Sequence, residues 1–323
     1  MLSMEVEEQL ELILNGKGIE VPEMYDSAPL EVHPVTVRKT VCYIVCAVLL
    51  NEKSEVLMIQ EAKWDCYGKW YLPAGRMEQN ETIIEAMKRE VKEESGLECC
   101  PITLLLVEER GPRWIRFVFL AEVTGGVMKT TEQSDSESLQ ACWWNRTTSL
   151  PLRATDIIPL IEAGVRYRES PTHPRTLPQE MPCSLICQRV MVAFTNDSND
   201  LWVLLSTVDC LHLPVTACGS SSSEICCSIE VAIYRLMKEC LHLPLVKIKT
   251  HGIMGLQHLG KNVGKADGIC FNTLVSVLYS DSNVSVPPTL NTNRLQWWKV
   301  DKQSLHSMII ERLASCSLIP ICS

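Results

Sequence analysis

Several signatures are missing from this chain, and each absence removes a class of protein. The opening MLSMEVEEQLELILNGKGIE has no basic segment and no long apolar stretch, so no secretory leader is expected. No window reaches the roughly eighteen apolar residues of a membrane span. Lys and Arg number 30 against 39 Asp and Glu, a net charge of −9. That balance argues against a broad grip on a nucleic-acid polymer or an anionic membrane. The seven histidines never fall at HxxxH or HExxH spacing. The sixteen cysteines include no CxxC pair. Without a leader they read as reduced, small core residues of a cytoplasmic, or also nuclear, protein. The adjacent pairs Cys99-Cys100 and Cys226-Cys227 read the same way rather than as metal ligands.

What remains is 323 residues, 46% of them hydrophobic, enough for about two domains with cores of their own. The expected organisation is an N-terminal helix and linker over 1–36, a first domain over 37–169, a linker over 170–182 with four prolines, and a second domain over 183–323. In the first domain VCYIVCAVLL and EVLMIQ flank a polar NEKS and read as a hairpin of buried strands. ITLLLVEE, RWIRFVFLAEV and SLQACWW add strands, and TDIIPLIEAGVRYRE a closing helix. Trp143-Trp144 and Trp297-Trp298 read as core-edge residues.

The densest chemistry lies in GRMEQNETIIEAMKREVKEESGL, Gly75 to Leu97. Thr82 and Glu85 form a capping box that starts a helix, and Gly96 suits its left-handed stop. On that helix Ile83, Ile84, Met87 and Val91 share an apolar sector. Glu90, Glu93 and Glu94 lie beside it with no lysine among them. Acids three and four apart repel, so something positive should compensate. Their hard oxygens suit Mg²⁺, or Mn²⁺.

The spacing from Gly75 through Glu81 to Arg89-Glu90-Val91-Lys92-Glu93-Glu94-Ser95-Gly96-Leu97 matches G-x5-E-x7-R-E-U-x-E-E-x-G-U at every fixed position, U being aliphatic. This pattern resembles the Nudix hydrolases. Flanking stretches, from VCYIVCAVLL to WWKV, resemble the MutT-like branch that takes oxidised purine nucleoside diphosphates such as 8-oxo-dGDP to monophosphate and phosphate. The resemblance implies an α/β/α sandwich on a mixed sheet. It implies divalent metal on Glu90, Glu93, Glu94 and the Gly75 carbonyl, with Arg89 anchoring Glu81, and Glu81 and Gly96 structural. Glu137 is the candidate general base, or else a solvated loop acid. Asp156 either reads the purine or caps its helix, and Leu57 lines the base pocket or is plain core. Arg110, Arg113 and Arg116 with Trp114 could touch RNA, though strand alternation in an acidic chain argues otherwise. Within the family the alternatives are another nucleoside diphosphate-X, such as ADP-ribose, a dinucleotide or an RNA cap. Outside it the alternative is a non-catalytic nucleotide-binding protein.

The second half echoes the first. AMKREVKEESGL against AIYRLMKECLHL keeps Ala, Arg, Lys, Glu and the final Leu, which suggests a duplicated fold. Glu90 becomes Leu236, Glu94 becomes Cys240 and Gly96 becomes His242. One carboxylate cannot hold the metal, so a degenerate Nudix-like α/β domain without catalysis is expected, its face at Leu236 and Cys240 filled or covered. Its protein partner is unknown.

Overall fold

The computed structural model describes residues 4–110, 114–219, 228–279, 285–314 and 317–322; Arg113 and Cys226-Cys227 lie outside them. Helix α1 (Val6–Leu14) comes first. The first half continues with β1 (Cys42–Leu49), β2 (Val56–Glu61), β3 (Trp70–Tyr71), β4 (Ala74–Arg76), α2 (Ile83–Ser95), β5 (Leu97–Glu109), β6 (Trp114–Gly126), β7 (Ser138–Trp144) and α3 (Ile157–Glu169). The second half has β8 (Ile186–Thr195), β9 (Leu201–Ser206), β10 (Val215–Ala217), α4 (Ser228–Cys240), β11 (Val246–Gln257), β12 (Ile269–Tyr279), β13 (Leu295–Lys299), α5 (Gln303–Ala314) and β14 (Ile321–Cys322).

Strand β1 shows why the chain layers as it does. Tyr43, Val45, Ala47 and Leu49 face one core with Ile83, Met87 and Val91 of α2. Cys46 and Val48 face the other, with Ile157, Leu160 and Ile161 of α3. Both faces are apolar because each is covered by a helix. The hairpin expected of β1 and β2 does not form. Asn51 Oδ1 accepts from the backbone of Lys53 (2.9 Å) and Glu55 (3.0 Å) and closes a tight turn, but only the bridge Leu50–Val56 joins the strands. Beyond it β1 enters a sheet ordered β14-β5-β6-β1-β4, and β2 enters β3-β2-β7. Runs buried on both faces carry no period that names their partner, so sequence could not see this split.

The second half repeats the plan. β5–β6 are antiparallel, β6–β1 parallel, β1–β4 antiparallel and β2–β7 antiparallel. β11–β12, β12–β8, β8–β10 and β9–β13 pair in the same senses. Even the first turn recurs, with Asn196 Oδ1 accepting from Asp200 N at 2.8 Å and Asn199 at φ 62° where Ser54 has the same φ. Here, however, β8 and β9 do pair, giving one sheet.

The halves are tied together closely. Val6, Leu10, Ile13 and Leu14 of α1 pack with Met191, Val203, Leu305 and Ile309 of the second half, and β14 adds in parallel to β5. Tyr43 donates to the Asp267 carbonyl (2.9 Å), and Lys261 pairs with Glu85 at the start of α2 (2.6 Å). Buried Glu109 of β5 accepts from Ile229 N (3.0 Å) and from Ser228, placing a carboxylate at the N-terminus of α4.

At the positions that Glu90 and Glu94 hold on α2, α4 has Leu236 and Cys240, 2% and 1% exposed within an apolar cluster. Arg235 keeps the place of Arg89 but donates to Ser27, Thr216 and the Ala217 carbonyl. The N-terminal linker therefore lies along β10, with Ala217 N donating to Ser27 O (3.0 Å), and a residual cavity of about 90 Å³ remains beside Asp26, Leu236 and Cys240. Asp26 accepts from Val215 N (2.8 Å) and faces His212 Nε2 at 3.4 Å. Burial pushes Asp26 up, but the facing His212, Ser206 and the Val215 N–H leave it below its ordinary value. Burial pushes His212 down, but Asp26 and the Cys210 carbonyl leave it raised. A lowered acid stabilises above its unfolded pKa, and a raised histidine stabilises below its own. The linker is thus held best between about pH 4 and pH 6.5 and loosens as pH rises further. The Tm gap between the protein and its Asp26→Asn variant is expected to shrink from pH 6 to pH 8.5. A gap independent of pH would remove the pair from the linker's stability.

Candidate active site

The local sequence builds the site helix as expected. Thr82 Oγ1 accepts from Glu85 N (3.1 Å) and Glu85 accepts from Thr82 N (2.8 Å), a reciprocal cap. Gly96 ends α2 at φ 77°, where a Cβ would stand 2.3 Å from the Val127 carbonyl. Buried Lys129 donates to the Glu93 carbonyl (3.0 Å) and to Asp135 (2.6 Å), a cation at the helix C-terminus.

Arg89 organises the acids. Its Nε and Nη2 grip Glu81 at 2.9 and 2.7 Å, and Nη2 also reaches the Arg76 carbonyl at 3.2 Å. Its Nη1 reaches Glu90 (2.8 Å) and Glu93 (3.1 Å). The Glu90 carboxylate fills the space where a Cβ on Gly75 would sit, 2.1 Å away. Glu94, 1% exposed, accepts from Ala74 N (2.9 Å) and faces Lys63 at 3.8 Å. Burial raises Glu90 above the usual carboxylate range despite Arg89, and raises Glu94 well above it. Glu93 is half-exposed at the rim. Glu137 is half-buried beside Ser138, whose hydroxyl donates to the Glu94 carbonyl (2.6 Å). Its own carboxylate has no hydrogen bond or ion pair among the described residues.

These residues fit a divalent cation. Two buried carboxylates are held in ionisation-resistant surroundings, Glu61 Oε2 is buried with no hydrogen-bond partner, and a glycine backbone lies against Glu90. All are hard oxygen donors. Among the described residues no three acids already converge as a ligand cluster. Glu90 and Glu93 meet instead at Arg89 Nη1, which takes one oxygen of each.

A polar chain leads away from Glu94. Lys63 links it to buried Glu61 (3.9 Å), which pairs with Arg153 (2.7 Å), whose guanidinium covers the Tyr71 ring at 5.0 Å. Tyr71 donates to Asp156 (2.9 Å). Arg116, buried and 5.6 Å above the Trp114 ring, donates to Asp156 (3.0 Å), to Tyr71 (2.8 Å) and to Glu108. Asp156 precedes α3 but makes no side-chain cap; it serves Tyr71 and Arg116. Asp156 Oδ1 and Arg116 Nη2 are both buried without partners, an acceptor and a donor left free.

Leu57 is fully buried in the core beneath α2. Sequence reading missed Glu61, Lys63, Tyr71 and Arg153. An acid ending the apolar run VLMIQE was the available sign, since a charge on a strand buried on both faces needs a partner.

A family model described as the NUDIX domain matches residues 42–160. The chain is 51% identical to 8-oxo-dGDP phosphatase NUDT18 of Mus musculus, with 97% of each chain covered. It is 50% identical to the Homo sapiens protein of that name, with 96% of each covered. It is 49% identical to that of Danio rerio, covering 98% of this chain and 97% of the relative. With the box complete from Gly75 of β4 through α2 to Leu97 of β5, and half of all residues shared over almost the full length, the chain belongs to the Nudix hydrolase family.

Proposed function

We propose that the chain hydrolyses oxidised purine nucleoside diphosphates, 8-oxo-dGDP foremost, to the monophosphate and phosphate. The observation that carries this is near-half identity along both halves to three proteins named for that activity. Glu90, Glu93, Glu94 and the Gly75 carbonyl would hold Mg²⁺ or Mn²⁺. The bound cation neutralises diphosphate charge and makes a water more acidic. Arg89 positions Glu90 while keeping Glu81. Glu137, next to the Ser138 that bonds the Glu94 carbonyl, would take the water's proton. Asp156 Oδ1 and Arg116 Nη2 match the alternating N–H donors and carbonyl acceptors of an oxidised guanine edge.

The test is a Mg²⁺ turnover panel of oxidised and normal dGDP and dGTP, ADP-ribose and capped RNA. Fastest release of orthophosphate from 8-oxo-dGDP is expected; faster cleavage of ADP-ribose or cap would overturn the reading. For the base, Asp156→Asn should change the ratio of kcat/KM between 8-oxo-dGDP and dGDP at least about tenfold, the worth of one hydrogen bond to a charged group. Equal losses on both nucleotides would take Asp156 out of base reading.

A further inference from the structure

Three cysteines that the hydrolase has no use for meet in the second half. Cys183 Sγ lies 3.6 Å from Cys187 Sγ. Cys187 stands beside Cys270 in the parallel pairing of β8 and β12. Cys270 Sγ lies 4.0 Å from Arg189 Nη1. Arg189 is 3% exposed, and its other acceptors are neutral: Gln257, Asn272 and the carbonyls of Ile19 and Glu20. No carboxylate among the described residues pairs with it. A buried guanidinium without a carboxylate favours a thiolate nearby. Cys187 beside it, joined by Arg189, pulls Cys270 down to about 7 against burial. The cluster is also reachable. Cys183 lines an open cavity of about 460 Å³, with Val21, Tyr25, Pro182 and Lys265.

We propose that Cys183, Cys187 and Cys270 form a peroxide-reactive thiol site in which Cys183 is oxidised first and the product is a Cys183–Cys187 disulfide. Peroxide enters the cavity, and Cys183 sulfur attacks one oxygen. The O–O bond breaks and the thiol proton, held toward the Leu185 carbonyl, goes to the departing hydroxide, giving Cys183 sulfenic acid and water. Cys187 sulfur then attacks Cys183 sulfur. Its proton passes to the Cys270 thiolate and from there to the departing hydroxide, which leaves as the second water. Two thiols have lost two electrons and peroxide has gained them. The sulfurs need close only about 1.5 Å to reach bonding distance. Cys270 carries the proton and Arg189 keeps it ionised.

The site can be tested on the full-length chain with hydrogen peroxide, followed by alkylation under denaturing conditions and peptide mass spectrometry. Trypsin releases residues 176–189, which contain Cys183 and Cys187 and no other cysteine. That peptide is expected to lose two hydrogens and escape alkylation before exposed Cys100 and Cys210 react, and dithiothreitol should reverse it. Cys183→Ser should abolish the change. Cys270→Ser should slow disulfide closure about tenfold while dimedone-trapped sulfenic acid accumulates on Cys183, a split that mere loosening of the fold would not produce. Thermal unfolding of each variant confirms that it is folded. A peptide still doubly alkylated when Cys100 and Cys210 are oxidised would overturn the proposal, as would a Cys187–Cys270 disulfide.

Discussion

Replacing Glu94 with glutamine is expected to lower kcat at least about a hundredfold, nearly 3 kcal/mol of transition-state stabilisation, while making the metal-free protein more stable. The two effects share one cause. Glu94 is almost fully buried, with one backbone N–H and a lysine at 3.8 Å to offset its charge. Burial raises its pKa well above the ordinary value. A raised carboxyl opposes folding once pH exceeds its unfolded pKa, because the folded state then holds a charge it would rather protonate. Glutamine removes that charge and can still accept from Ala74 N. Near neutrality with EDTA present, Glu94→Gln should therefore melt at a higher temperature than the parent. Added Mg²⁺ should raise the parent's Tm more than the variant's, because binding stabilises only what it binds. Near-normal turnover would remove Glu94 from the chemistry. A lower Tm in EDTA would mean that the carboxylate is structurally satisfied without metal.

The same buried charge explains what could be read in advance. The box was legible because its residues are held at fixed covalent spacing in one short segment, and a capping box and a glycine stop mark the ends of the helix within it. The repeat was legible for a similar reason: Arg235 still stands where Arg89 does, although its neighbours have become Leu236 and Cys240. The polar chain was not legible. Glu61, Tyr71, Arg116, Arg153 and Asp156 come from four strands and loops and meet only through the pairing of β2 with β3 and β7 and of β6 with β1. Arg116 drew notice in RGPRWIRF, yet its role depends on Glu108 opposite it in the β5–β6 register. Nor did sequence show that Asp26 and Ser27 would lie along β10. A linker's few polar residues acquire meaning only from the strand edge they find.

Gly75→Ala is expected to lower kcat roughly tenfold to a hundredfold by misplacing one carboxylate, with little change in Tm. The obstacle decides this. A Cβ at Gly75 would fall about 2.1 Å from Glu90 Cδ and Oε2. The three nearest atoms all belong to the Glu90 carboxyl group, the far end of a side chain. Glu90 can swing clear at small cost to the fold, but it then leaves the position from which it would hold the cation. If Gly75 matters only by admitting Glu90, the double variant Gly75→Ala/Glu90→Gln should be no slower than Glu90→Gln alone, since residues acting through one contact are not additive. If the Gly75 carbonyl contributes separately, the double variant should be slower than either single change. Gly75→Ala with unchanged turnover would show that Glu90 can occupy a second productive position, and the close approach of β4 to α2 would then have no part in catalysis.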